Sequence, residues 1–209
     1  MTITLHHLND SRSQRVLWLL EELGLPYDVQ RYQRDPRTRL APPELAAISP
    51  LGKSPAVTDG TSTLIESGAI IETLIRRCGA GRLQPGPDSP DYDTYVQWLH
   101  YAEGSATLPL ILRFYVARLG DAGAPLAPRI DAETANHLGY IDRSLQGRRY
   151  LVGDSLTGAD VQMSFIGEFA GALRQLDPYP AIQAWLAHLH ARPAYQAALE
   201  RGGPYSMAG

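Results

Sequence analysis

Between Gly79 and Pro90 the chain reads Gly-Ala-Gly-Arg-Leu-Gln-Pro-Gly-Pro-Asp-Ser-Pro, and no helix or strand runs through such a stretch. Glycine loses the most backbone entropy on ordering, and proline lacks the N–H that a helix or sheet ladder needs. The stretch therefore divides the chain into a first domain over residues 1–79, a linker over 80–90 and a second domain over 91–209. Its last residues set up a helix, with Ser89 as the N-cap, Pro90 at the first helical position and Asp91 in the first turn.

The two sides differ in pattern. Before the break, residues 3–8 predict a strand and residues 11–24 a helix with Val16, Leu19, Leu20 and Leu23 on one face and Gly24 as its C-cap. Residues 27–33 predict a second strand, 42–48 a brief helix and 55–58 a third strand. Asp59-Gly60 then turns the chain into 62–65 as a hairpin, and 67–77 predict a helix. This β-α-β-α-β-β-α order makes a small α/β domain. After the break no segment has strand character. A long helical stretch over 91–119, bent near Gly104 and Pro109, precedes a loop over 120–128 and helices over 129–146, 159–173, 181–190 and 193–199. The near absence of charge between Val161 and Ile166 predicts a helix buried on most sides.

Composition limits the partners. The net charge of −3 gives no basic excess for nucleic acid or an anionic membrane surface, so a small acidic ligand must be held by local placement. Cys78 is the single cysteine, which excludes an intrachain disulfide framework, a C-x-x-C pair and a cysteine-rich zinc site. The six histidines are scattered and pair with no acids at ligand spacing, so no metal is expected. No basic segment followed by an apolar run opens the sequence, and no apolar run has the length of a membrane span. Both facts predict a cytoplasmic protein.

Three places carry chemistry, each with two readings. In Lys53-Ser54-Pro55, a proline that opens a strand is either a plain trans residue or a cis one; the cis form turns the preceding backbone N–H and C=O outward to an extended peptide ligand. Glu66-Ser67 stand where a strand gives way to a helix. Ser67 and the free N–H groups there suit a carboxylate and Glu66 suits an ammonium, or else Ser67 only caps the helix and Glu66 is surface charge. At the first strand–helix junction, Ser11 with Arg12 suits a ligand thiolate. Lowering a thiol pKa by about two units takes roughly 2.7 kcal/mol, and one hydrogen bond to a charged group gives about 1.5–3 kcal/mol. Against that, Ser11 and Gln14 read as an S-x-x-Q capping box. Cys78, on an apolar helix face, reads as a small buried residue, and Arg34, Arg37 and Arg39 read as a solvated loop cluster that borders the site.

In this order and spacing, these sites resemble the cytosolic glutathione S-transferases, and the likeness covers nearly the whole chain. It is nearest to the branch shared by fungal and bacterial enzymes, through Ser11-Arg12-Ser13-x-Arg15-Val16-Leu17-Trp18, Ala41-Pro42-Pro43-Glu44-Leu45, Pro50-Leu51-Gly52-Lys53-Ser54-Pro55, Glu66-Ser67-Gly68, Glu103-Gly104-Ser105 and Gly158-Ala159-Asp160. The resemblance implies a thioredoxin-like α/β N-terminal domain and an all-α C-terminal domain. It implies a cis Pro55, a γ-glutamyl site at Glu66 and Ser67, Lys53 near the glycyl carboxylate and Ser54 backbone atoms on the cysteinyl unit. It further implies Ser11 and Arg12 as the thiol-activating groups, an electrophile pocket drawing on Tyr101, Ser105 and Arg113, and a structural capping box from Thr157 to Asp160. Glutathione is then the co-substrate, a small hydrophobic electrophile or a peroxide the second substrate, and a homodimer the assembly. Some branches activate the thiol with an early tyrosine or a cysteine. Here the first tyrosine is Tyr27 and the site holds no cysteine, so Ser11 stands beside Asp10, Arg12 and Ser13 as the activating group. Two other activities fit the same sequence: a non-catalytic binder of glutathione or apolar ligands, and a glutathione-dependent disulfide reductase.

Overall fold

The computed structural model describes residues 3–60 and 62–207. Met1, Thr2, Thr61, Ala208 and Gly209, which open the chain, sit within the expected hairpin and close the expected helical domain, lie outside the described residues. The contacts separate two units, one of residues up to 86 together with the segment from 190, the other of residues 87–189.

The first unit begins with β1 (Ile3–Leu8), α1 (Ser13–Leu23) and β2 (Tyr27–Tyr32), and continues through a 3-10 turn (Pro43–Ala47) to β3 (Ala56–Thr58), β4 (Thr63–Ile65) and α2 (Ser67–Cys78). The sheet runs in the order β2-β1-β3-β4, with β1 parallel to β2 and the other neighbours antiparallel. Leu5 lies opposite both Val29 and Val57, so the central strand is apolar at its middle. Gly24 takes φ 66° and closes α1, its N–H bonding to the Leu20 and Glu21 carbonyls, as its place in the sequence predicts.

The second unit holds α3 (Tyr92–Tyr101), α4 (Thr107–Val116), α5 (Ala127–Leu145), α6 (Gly158–Ala172) and α7 (Pro180–His190). Three expectations change here. The bend near Gly104 is a π turn over Ala102–Ala106, with the Thr107 N–H reaching the Ala102 carbonyl five residues back. Pro109 follows in the first turn of α4, where its missing N–H costs little. The loop expected over residues 120–128 is largely a 3-10 segment, Ala117–Leu126, interrupted at Gly120, whose φ of 53° only glycine adopts readily. α3 begins at Tyr92, so Ser89 accepts a hydrogen bond from the Asp91 N–H ahead of the helix instead of capping it.

α6 is buried over nearly its whole length, in keeping with its uncharged sequence. The capping box of Thr157 and Asp160 is formed. The Asp160 carboxylate is fully buried and accepts from the Leu151 N–H at 2.8 Å, the Thr157 N–H at 3.0 Å, the Thr157 hydroxyl at 3.1 Å and the Trp185 indole N–H at 3.1 Å. It therefore stitches three parts of the helical unit together.

The last helix, α8 (Pro193–Gly202), belongs to the first unit, although the sequence pattern placed residues 91–209 in a single helical domain. α8 packs on α1, where Tyr195 meets Trp18 edge to face at 5.4 Å. Arg192 clamps Glu22 through two bonds of 2.6 and 2.9 Å, and Arg201 reaches Glu21 at 3.2 Å. With β1 and α2 packed on its other sides, this cover accounts for α1 burying every residue from Ser13 to Leu20, where periodicity alone assigned it a single apolar face.

Candidate functional site

The expected site residues of the first unit stand on three connections: β1 to α1, the approach to β3, and β4 to α2. Ser54-Pro55 is cis. The Ser54 hydroxyl donates to the His6 carbonyl at 2.8 Å and accepts from the Leu8 N–H at 3.2 Å, which ties this connection to the end of β1. The Ser54 backbone N–H and C=O make no hydrogen bond among the described residues. Lys53 is exposed, its backbone N–H resting on the Ser49 hydroxyl.

Glu66 sits at φ 69°, ψ 112°, in the left-handed region that costs a non-glycine residue about 1–3 kcal/mol. Such a conformation persists only where its surroundings fix it, and here it leads straight into α2 with the Glu66 side chain exposed. Ser67, the first residue of α2, is buried. Its hydroxyl oxygen accepts from the Arg15 guanidinium at 2.5 Å. An oxygen that accepts there keeps its own proton available, and among the described residues nothing takes it.

Arg15 was missed as a site residue, although its motif was read. The signal was present: a cation inside the run Val16-Leu17-Trp18-Leu19-Leu20, where full burial without a partner is very costly. Arg15 is 2% exposed, on the turn of α1 that faces Ser67.

Ser11 is buried, and its hydroxyl turns inward, 2.7 Å from the Leu8 carbonyl and 2.8 Å from the Ser13 hydroxyl. The capping box with Gln14 is not formed. α1 starts only at Ser13, Ser11 Oγ accepts from the Ser13 N–H at 3.2 Å, and the buried Gln14 amide makes no hydrogen bond. Arg12 is half-buried at the N-cap position. The loop ahead of it is held by arginines that the sequence assigned to a solvated cluster. Arg34 bonds to the Asn9 and Asp10 carbonyls at 3.0 and 3.2 Å, and Arg39 pairs with Asp10 at 3.0 Å. The Ser206 N–H and hydroxyl both reach Asp10 at 2.9 Å. Burial works to raise the Asp10 carboxyl pKa, but the bonds from Ser206 and Arg39 prevail and hold it below the usual range.

Beneath this loop lies His7, 3% exposed, with Nδ1 2.9 Å from the Ser13 hydroxyl and the backbone of Gly202 close to its ring. Burial, then the nearby Arg31 charge, press its pKa down to about 4. The unfolded chain thus binds a proton near pH 6.5 that the native protein refuses until about pH 4. Native stability is therefore expected to be full above pH 6.5 and to fall as pH drops toward 4, by about 3 kcal/mol from this group. Urea denaturation of the protein and of His7→Phe across that window checks it: the variant should show a flatter dependence.

In the helical unit, Tyr101 ends α3 and bonds to His137 Nδ1 at 2.6 Å, packed between Trp98 and Tyr140. Burial pushes its hydroxyl pKa up. Ser105 lies in the π turn, and its side chain makes no hydrogen bond among the described residues. Arg113 pairs with Asp131 at 2.5 Å and lines a cavity of about 450 Å³ with Thr134, Arg174, Asp177 and Tyr179, so it does not join Tyr101 and Ser105. Cys78 is half-buried at the end of α2, with a free thiol. Among the described residues no group of three or more His, Cys, Asp or Glu side chains is placed to hold a metal ion, and no helix is long and apolar enough to cross a membrane.

The comparison with known families decides the lineage. Residues 11–77 match the glutathione S-transferase N-terminal domain and residues 102–193 the C-terminal domain. The chain belongs to the glutathione S-transferase family. Glutathione S-transferase 3 of Schizosaccharomyces pombe is 38% identical to this transferase over 95% of the chain and 87% of its own length. The structure of a glutathione S-transferase from Actinobacillus pleuropneumoniae superposes with a TM-score of 0.87 at 34% identity, covering 99% of each chain. A glutathione transferase family member from Pseudomonas fluorescens Pf-5, solved with two glutathione molecules bound, superposes with a TM-score of 0.79 at 30% identity over 95% of this chain and 92% of that one. The likeness to fungal and bacterial members and the two-part fold agree with the resemblance read from the sequence.

Proposed function

We propose that this transferase holds glutathione across its three site connections, lowers the pKa of the thiol and directs the thiolate at a hydrophobic electrophile or a peroxide. The hydroxyl of Ser67 carries the reading. With Arg15 donating to its oxygen, Ser67 presents a proton to the α-carboxylate of the γ-glutamyl unit beside the N–H groups that open α2. Exposed Glu66 is placed for the α-ammonium, the open backbone of Ser54 for the cysteinyl unit, and Lys53 for the glycyl carboxylate.

Ser11 and Arg12 activate the thiol in this reading, and the inward turn of Ser11 sets how much Ser11 contributes. To donate to a thiolate, its hydroxyl must leave the Leu8 carbonyl. A bond worth about 0.5–1.5 kcal/mol is then exchanged for one worth about 1.5–3. The net gain of roughly 1–1.5 kcal/mol is about one pKa unit. The rest of the shift falls to Arg12 and the N-terminus of α1. Ser11→Ala should therefore raise the pKa of bound glutathione by about one unit, read from thiolate absorbance against pH. No change would assign Ser11 to folding alone.

Among the expected electrophile residues, Ser105 is the one whose side chain is uncommitted, whereas Tyr101 and Arg113 are held by His137 and Asp131. We further infer a homodimer working in the cytoplasm, where glutathione is kept reduced. Leu108, Leu112, Tyr115 and Leu119 expose an apolar stripe along α4 and the segment after it that a second copy would cover. The two glutathione molecules in the Pseudomonas fluorescens relative favour one alternative, glutathione-dependent disulfide reduction, in which a second glutathione supplies the attacking thiol and no protein cysteine is needed. Reductase turnover exceeding conjugation would select it.

A further inference from the structure

We propose that Asp10 is a positioning residue of the thiol site: its carboxylate, gripped by Arg39 and by Ser206, fixes the turn from which Ser11 and Arg12 meet the glutathione sulfur. The inference rests on the reading above that Ser11 and Arg12 activate the thiol.

The turn needs holding. Asp10 takes φ 49° and Arg39 takes φ 62°, both in the left-handed region that residues other than glycine rarely enter. The two are joined to each other by an ion pair of 3.0 Å. The Asp10 carboxylate uses both of its oxygens. Oδ2 accepts from the Arg39 guanidinium, and Oδ1 accepts from the Ser206 N–H and hydroxyl at 2.9 Å each. These grips come from 29 and 196 residues away along the chain, so no local preference of the turn supplies them. Arg34 completes the clamp from the backbone side. Its planar guanidinium donates to the Asn9, Asp10 and Arg39 carbonyls at 3.0, 3.2 and 2.9 Å, a fork that ties two connections of the chain together. In a planar trans peptide the Asp10 carbonyl and the Ser11 N–H share one plane. A carbonyl held by Arg34 therefore also fixes the direction in which the chain enters Ser11.

Asp10 is not the base for the thiol. Although burial works the other way, the bonds from Ser206 and Arg39 hold its carboxyl below the usual range, well under any thiol. An unpaired carboxylate next to Ser11 would also oppose a thiolate by like charge. Arg39 offsets that charge, and with the Asp10 side chain only 16% exposed the pair is screened less than one in open water. What Asp10 supplies is place. Hydrogen bonds weaken steeply as they lose alignment, and the field of a helix N-terminus fades within the first turn. A turn that relaxes would shift Ser11 and Arg12 against the sulfur and weaken both effects.

The test is the pKa of glutathione bound to the full-length protein, titrated by thiolate absorbance. Asp10→Ala removes the grip and should raise that pKa by about half a unit, roughly a threefold loss of thiolate at any pH below it. Arg39→Gln, at a half-exposed position, should raise it by a similar amount. The double variant should exceed neither, because the two residues act as one clamp. Should alanine prevent folding, Asp10→Asn decides by the same sign: it tolerates the left-handed turn and keeps an acceptor for Ser206, but loses Arg39. Charge alone predicts otherwise, since losing the anion at Asp10 would lower the pKa while losing the cation at Arg39 would raise it. A role in folding alone would move neither. Ser11→Ala and Arg12→Gln are titrated alongside. If either of these raises the pKa while the Asp10 variant lowers it or leaves it unchanged, the clamp is wrong and the thiol reading stands. If neither does, both fall.

Discussion

Glutathione affinity is expected to fall about ten- to a hundredfold in Ser67→Ala, the loss of one hydrogen bond to a charged group of roughly 1.5–3 kcal/mol. The argument depends on which way the hydroxyl is polarised. Arg15 is a permanent donor, so Ser67 must accept from it and must send its proton elsewhere. A carboxylate at the start of α2 is the acceptor best matched to that proton and to the N–H groups around it. The same substitution removes a partner from a buried guanidinium, so calorimetric titration should be paired with a thermal midpoint. Weakened binding with a folded protein supports the assignment. Unchanged affinity would leave Ser67 as a packing partner of Arg15.

In Asp160→Ala the helical unit is expected to lose about 3–5 kcal/mol of stability, with no direct effect on the glutathione site. The carboxylate accepts four hydrogen bonds inside the core, and alanine would strand the Leu151 and Thr157 N–H groups and the Trp185 indole N–H at once. Burial drives the Asp160 pKa up while those bonds drive it down, so the group depends on its donors as much as they depend on it. Asp160→Asn should recover little, since an amide NH2 would face the Thr157 donors. Urea denaturation followed by tryptophan fluorescence checks both variants. A loss below about 1 kcal/mol would show that the capping box contributes little to this unit.

Much of the fold was legible because its signals are local. The strands at residues 3–8 and 27–32 were readable from composition and alternation, α2 from its apolar face, and the caps at Gly24 and Thr157 from residue chemistry over a few positions. The family was legible from Ser54-Pro55 and Glu66-Ser67 as part of a series, and cis Pro55 came from that likeness, since an isolated Ser-Pro is usually trans. What stayed hidden depends on residues far apart in sequence. The amphipathic pattern of α8 shows that it covers an apolar surface but not which one, so the pattern left it in the run of helices while its contacts lie with α1. The burial of Arg15 depends on Ser67, fifty-two residues further along the chain. The Ser11 hydroxyl turns to the Leu8 carbonyl and the Ser13 hydroxyl through a rotatable bond that no residue pattern encodes. Likewise the bonds of Tyr101 to His137 and of Arg113 to Asp131 join residues too far apart in sequence for a local pattern to show.

The placement of α8 also orders events during synthesis. The helical unit is one unbroken stretch of chain, residues 87–189, and has all its parts as soon as that stretch leaves the ribosome. The sheet unit is made first and finished last. Leu17, Trp18 and His7 wait for Tyr195 and Gly202 to be translated before they are covered. During that interval α1 exposes a surface meant for the core, the kind of apolar surface that favours aggregation until it is covered.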